Sequence, residues 1–151
     1  MDIKTSFADP KNEVQGVWMD YRDGSRVKLA RLGNPAFQKL FDKMRRPYLD
    51  MIRRDKMPPE RETHILCQCY ARTLLLDWEG FEDGGKPLPY SEDAAERLLV
   101  AHMDFRNDVT RLAAEEEFFK RQTVEDSEKN SSKRSAGNSN TGSGASGSKP
   151  A

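Results

Sequence analysis

His64 and Cys67 stand three residues apart, with Cys69 two positions further on. On a helix the i, i+3 spacing sets two side chains on one face, as a pair of metal ligands would be. A zinc centre needs about four ligands. The only other histidine is His102, and the sequence has no CxxC pair. Metal binding is therefore not expected, and His102 reads as a half-buried core residue. A second set with chemical content is Asp77, Glu79, Glu82 and Asp83. Acid–base catalysis needs carboxylates held in unlike environments within a cleft. These four flank a glycine-rich turn that offers mainly solvent. Glu115-Glu116-Glu117 reads as a solvated helix face. Gly84-Gly85 precedes Lys86-Pro87 and lacks the strand–turn–helix setting of a phosphate-binding loop. Ser131 and Ser132 have no paired His or Asp. The residues that could do chemistry do not converge, so no enzyme activity and no cofactor are expected.

What remains is a surface for partners, and its elements can be read from the pattern. A hairpin is expected over residues 14–32, with Asp23-Gly24 as the turn signal. A two-residue loop would put Val17, Met19 and Tyr21 on the face opposite Val27 and Leu29. A three-residue loop, Arg22-Asp23-Gly24, pairs Tyr21 with Ser25, Met19 with Val27 and Val17 with Leu29. All five apolar residues then share one face, and Gly24 takes the left-handed position of a G1 bulge. The three-residue loop is the expected one. It sends Trp18 to the polar face, beside Asp20, Arg26 and Lys28. There Trp18 either covers Ala30 and Leu32 or, with the strand edges, meets a partner or a second copy of the chain.

Asn34-Pro35 opens the first helix as N-cap and first helical residue. Phe37, Leu40, Phe41, Met44, Tyr48, Met51 and Ile52 come next at helical spacing, with Pro47 expected to kink or split the helix after Arg46. Its polar side carries Lys39, Lys43, Arg45, Arg46, Arg53 and Arg54. This face is either simply solvated or docks an acidic partner. A second, central helix is expected from about Pro59 to Trp78. A third helical region begins at the N-cap Ser91 and runs on through Phe119, with Asn107-Asp108 as the point of interruption. Trp78 and Phe81, at the exit of the second helix, either latch it to the third or face a partner. The predicted fold is mainly α: a helical, bundle-like domain with an N-terminal β-hairpin.

Composition sets the bounds. The chain has 151 residues, of which 36% are apolar, enough for one domain with a modest core. Residues 1–13 read as a short leader, 14–124 as the folded domain (hairpin 14–32, helical region 35–124), and 125–151 as a disordered tail rich in Ser, Gly and Asn. Lys+Arg and Asp+Glu balance at 25 each, which argues against sequence-independent nucleic-acid binding. The tail is no polybasic arm: it holds Lys129, Lys133, Arg134 and Lys149 against Glu125, Asp126 and Glu128. No apolar run reaches the ~18 residues of a membrane span, and the first residues carry no signal peptide. Cys67 and Cys69 lie too close on one helix to bridge, and read as reduced thiols.

Several short motifs occur in a particular order. Gly16-Val17-Trp18 and Asp23-Gly24 lie in the hairpin, and Ala30-Arg31-Leu32-Gly33-Asn34-Pro35-Ala36-Phe37 leads into a helix. Arg46-Pro47-Tyr48 is next, then Ala71 through Leu74-Leu75-Leu76-Asp77-Trp78-Glu79-Gly80. Leu88-Pro89-Tyr90-Ser91, Phe105-Arg106-Asn107-Asp108-Val109 and Lys129-Asn130 complete the series. In this order the chain resembles the tail assembly chaperones of long-tailed bacteriophages, over residues 14–131. The resemblance implies a helical protein of the host cell cytoplasm that binds the tape-measure protein and keeps it soluble. It would help recruit tail-tube subunits and be absent from the mature virion. It implies no catalytic residues. Some members are also made as a longer, frameshifted form. The partner-binding candidates on this chain are Trp18, Trp78, Phe81, Arg45, Arg46, Arg53 and Arg54. The alternatives are a small phage or bacterial regulator binding nucleic acid through the first helix, and a structural head–tail component.

Overall fold

A computed structural model describes residues 1–121. The expected tail, 125–151, lies outside the described residues.

The hairpin forms in the expected register. Strand β1 (Val17–Asp20) pairs antiparallel with β2 (Arg26–Leu29), setting Val17 opposite Leu29 and Met19 opposite Val27. The Tyr21 amide donates to the Ser25 carbonyl at 2.8 Å, closing the three-residue loop. Asp23 and Gly24 both take positive φ there, at 55° and 79°. Met19, Val27 and Leu29 face the core.

The segment after the central helix corrects the bundle-like class. Helix α3 (Pro35–Arg45) and a short α4 (Leu49–Arg53) precede α5 (Pro59–Thr73), which ends well before Trp78. Leu75–Glu79 is a third strand, β3, paired antiparallel with β2. The sheet order is β1-β2-β3, so the hairpin is two-thirds of a sheet. The described residues form an α+β arrangement, with β2 at the sheet's centre and α5 packed on β3, α3 and α6 (Glu92–Ala101). The physical reason lies in the sequence of the strand. Asp77 and Glu79 would place two negative charges at a helix C-terminus, against the helix dipole. As a strand, the segment buries Leu75 and Trp78 on the core side and sets Asp77 opposite Lys28 and Glu79 opposite Arg26. Leu76 is the extra residue of a β-bulge, because Leu75 pairs with Leu29 and Asp77 with Lys28. Gly16, at φ 85°, makes room for it: a Cβ there would lie 2.9 Å from the Leu76 side chain.

The other boundaries also reflect local chemistry. Helix α1 (Ile3–Ser6) and α2 (Pro10–Gln15) occupy the expected leader, and Val14 belongs to α2 rather than to a strand. This N-terminal segment clasps the far end of the fold. The Asp9 amide donates to the Phe119 carbonyl at 2.8 Å, and Ala8 bridges Lys120. Pro47 splits the first helix as expected, through a 3₁₀ turn at Arg46–Tyr48. Two strands of two residues, β4 (Glu82–Asp83) and β5 (Lys86–Pro87), form a small exposed hairpin. Ser91 caps α6, accepting from the Ala94 amide. The next break falls at His102, before α7 (Met103–Ala113), and not at Asn107-Asp108. The Arg106 guanidinium donates to the Leu99 carbonyl at 2.7 Å, satisfying an orphan acceptor at the end of α6. His102 itself is exposed, which corrects its reading as a half-buried residue.

Candidate functional site

Trp78 and Phe81 form an internal latch. Trp78 is 5% exposed, its indole N–H donates to the Leu88 carbonyl at 2.8 Å, and its ring stacks on Phe81 at 4.6 Å. Tyr90 meets Trp78 edge-on at 5.0 Å and donates its hydroxyl to the Leu75 carbonyl at 2.7 Å. Burial pushes the Tyr90 phenol up to about 12. Phe81 packs on Phe105 of α7 and on Tyr21 of the hairpin loop. The latch therefore ties β3 and its connector to α7 and the hairpin. Trp78 has little surface left for a partner, and Phe81 is half-buried.

The same region holds an ion cluster that sequence reasoning missed. The Tyr21 hydroxyl donates to Asp108 at 2.6 Å, and Arg22 and Arg111 donate to the same carboxylate at 2.8 and 3.2 Å. The bond from Tyr21, and then those from the two guanidiniums, holds the Asp108 carboxyl below its ordinary value. A depressed carboxylate stabilises the fold above the unfolded-state value, and the effect is lost as pH falls through the folded-state value. Asp108→Asn should therefore be less stable than the native chain at about pH 6, and the gap should be smaller at about pH 3. Urea midpoints at the two pH values check this; a gap unchanged between them contradicts it.

Trp18 lies on the outer face of the sheet, as the register required, and is partly exposed. Arg26 sets its guanidinium 5.4 Å from the Trp18 ring centre and 3.4 Å from Asp20. Its Nε and Nη1 make no hydrogen bond; the Trp18 face and the Asp20 charge lie beside them, and Glu79 stands opposite Arg26 on β3.

The basic candidates separate into two groups. Arg45 and Arg46 sit at the break between α3 and α4. Arg45 lies over Phe41, 4.8 Å from the ring centre. Arg53 and Arg54 sit at the other end of α4, with Arg54 3.4 Å from Asp50. Opposite the break, the first turns of α5 contribute Arg61, which charge patterning along the first helix does not pick out. Its guanidinium lies 5.3 Å from the Tyr48 ring centre and donates to the Tyr48 hydroxyl at 2.9 Å. Between these elements is an open groove of about 550 Å³ lined by Met44, Pro47, Tyr48, Glu60, Arg61, His64, Ile65 and Gln68. Pro47 was the available signal: a proline inside an apolar helical pattern bends the chain and leaves space beside its neighbour.

The remaining chemical groups are dispersed. His64 pairs with Glu96 of α6 at 3.5 Å. Among the described residues, no group of three or more His, Cys, Asp or Glu side chains could hold a metal ion. No helix among them is long and apolar enough to cross a membrane. Cys67 and Cys69 are buried free thiols, not a pair. Burial raises both, Cys69 to about 11. At about pH 8 both should remain thiols and react slowly with a disulfide reagent such as Ellman's, then release two equivalents at once in denaturant. Rapid reaction of the native protein would contradict this packing.

No curated protein and no solved structure matches the chain. The family model described as YdaY prophage protein matches residues 32–130, about two-thirds of this chain. That span contains the groove, both arginine groups and the aromatic latch, and leaves out Trp18. The chain is phage-derived and belongs to the YdaY prophage protein family.

Proposed function

We propose that the protein is a tail assembly chaperone: it binds the tape-measure protein, keeps it soluble, and helps recruit tail-tube subunits around it. On this reading it acts in the host cytoplasm, catalyses no reaction and is absent from the finished tail. Phage origin and the order of short motifs along the chain support the reading. The observation that carries it is apolar surface left uncovered beside cations. Met44, Pro47 and Tyr48 line the groove, and Leu49 and Met51 lie beyond it on α4 with about 40% of their surface exposed. A holdase needs such surface, because its client exposes an apolar stripe of its own until assembly covers it.

The test is capture of the tape-measure protein encoded by the same prophage, using a tagged form of this chain, together with mass spectrometry of purified particles. Co-purification from the cell and absence from the particle are the expected results. Presence in the particle at subunit stoichiometry would make it a structural component instead. Trp18→Ala should reduce capture if the outer sheet face shares in binding; unchanged capture by a folded variant removes Trp18 from the partner surface.

A further inference from the structure

We propose that residues 1–12 are a releasable strap that locks the 3₁₀ turn Glu116–Phe119 against the sheet, and that its release brings Phe119 out of the core beside Phe118. The lock stands or falls independently of the chaperone reading. Three features of the fold support it. The strap holds on with little burial. Neither α1 nor α2 contains a buried residue, and Met1, Ile3 and Phe7 leave 93%, 67% and 54% of their surface exposed. Segments with few buried apolar contacts are the first to open in a folded domain. Next, the strap's bonds converge on one stretch. The Phe119 carbonyl accepts from the Asp9 amide at 2.8 Å and from the Asn12 side-chain amide at 3.3 Å. Ala8 bridges Lys120, and the Asp9 carboxylate lies 3.6 Å from Arg121. Finally, that stretch is weakly held by its own backbone. The Phe118 amide reaches the Glu115 carbonyl at 3.3 Å and the Lys120 amide the Glu117 carbonyl at 3.4 Å, both long bonds. Yet Phe119 is fully buried, and the turn packs on β1.

Both partners in the lock have fixed roots. The Arg31 amide donates to the Glu13 carbonyl at 2.8 Å, and its guanidinium donates to the Glu13 carboxylate at 2.7 Å. Opening therefore swings residues 1–12 about Glu13 and leaves β1 and β2 paired. On the other side the Leu32 amide donates to the Ala113 carbonyl at 2.8 Å, which holds the end of α7 in place. Between these roots, the strap's polar bonds and the burial of Phe119 resist opening. Phe118 is already 41% exposed in the closed form. Opening sets Phe119 beside it and joins two aromatic rings into one apolar surface.

The experiment measures amide hydrogen exchange in the full chain, in a variant lacking residues 1–9, in Asn12→Ala, and in the double substitution Ala8→Cys with Lys120→Cys. Residues directly opposite in an antiparallel bridge have Cα atoms about 4.5–5.5 Å apart, within reach of a disulfide. Cys67 and Cys69 are buried and should not compete for that bond. The deletion should speed exchange at residues 116–120 by about tenfold or more and leave β2 and α5 unchanged. The oxidised double variant should slow residues 116–120 below the native rate, and a reductant should restore it. Binding of the apolar dye ANS should rise in the deletion variant and not in the oxidised one. If the deletion variant aggregates, Asn12→Ala should still speed residues 116–120 severalfold. Exchange at the turn that ignores both strap variants overturns the lock. So does exchange that rises equally in β2 and α5, because the strap would then open only with the whole domain. Fast exchange at the turn without added dye binding would leave Phe119 seated and overturn its release.

Discussion

Trp78→Ala should cost about 3–5 kcal/mol of stability, the range for deleting a buried aromatic side chain. Domains of this size hold about 5–15 kcal/mol in total, so the variant should sit near the edge of folding. The size of the loss comes from what Trp78 joins. Its ring fills the space between Phe81 and Tyr90, and its N–H satisfies the Leu88 carbonyl. Removing it leaves a cavity and a stranded acceptor together, and loosens the contact of Phe81 with Phe105 and Tyr21. Trp78→Phe separates the two effects. It keeps most of the ring area and loses the hydrogen bond, so it should cost less than the alanine variant. Denaturant midpoints for both variants are the check. A loss below about 1 kcal/mol for the alanine variant would mean that the latch does not hold the connector to α7.

Asn34→Ala should cost about 2–3 kcal/mol, because it removes a helix cap and strands a buried carbonyl at once. Asn34 is 4% exposed. Its Oδ1 accepts from the Phe37 amide at 3.1 Å, capping α3. Its Nδ2 donates to the Arg31 carbonyl at 2.7 Å and to the Thr73 carbonyl at 3.2 Å. One side chain thus holds the start of α3, the exit from β2 and the end of α5. Asn34→Asp is the informative comparison. It keeps the cap acceptor and loses both donors, so it should recover part of the cap and none of the tie to Thr73. Equal stability of Asn34→Asp and the native chain, in a denaturant titration at about pH 7, would show that the tie contributes nothing.

The cap at Asn34 illustrates what a sequence of this kind discloses. Local rules read correctly wherever a few neighbouring residues decide the outcome. The shared face of Val17, Met19, Tyr21, Val27 and Leu29 selected the hairpin register, and Asn34-Pro35 and Ser91 marked two helix starts. Pro47 marked the split in the first helix. The failures share a cause of their own. Leu74–Glu79 continues an apolar helical stripe, and only a distant strand with an open edge made it a strand. Local sequence held one hint, the two acids at what would have been a helix C-terminus. The break at His102 depends on Arg106 reaching back to Leu99, a contact that periodicity does not register.

The candidate site was legible in halves. The basic stretch at Arg45 and Arg46 was visible as charge on one helix. Its counterpart was not, because Arg61 reaches Tyr48 across two prolines and a change of helix. Trp78 and Phe81 were recognisable as a pair with two uses, and burial of Trp78 decides for the structural one.

On the proposed chaperone reading, this prophage protein keeps a tape-measure protein soluble until a tail forms around it. The most direct measurement is the soluble fraction of that tape-measure protein, expressed with and without this chain at matched levels. The tape-measure protein should sediment when expressed alone and stay in the supernatant when this chain is present, with the two co-eluting on size exclusion. A soluble fraction that does not change when the chain is supplied, with both proteins folded and abundant, would contradict the claim.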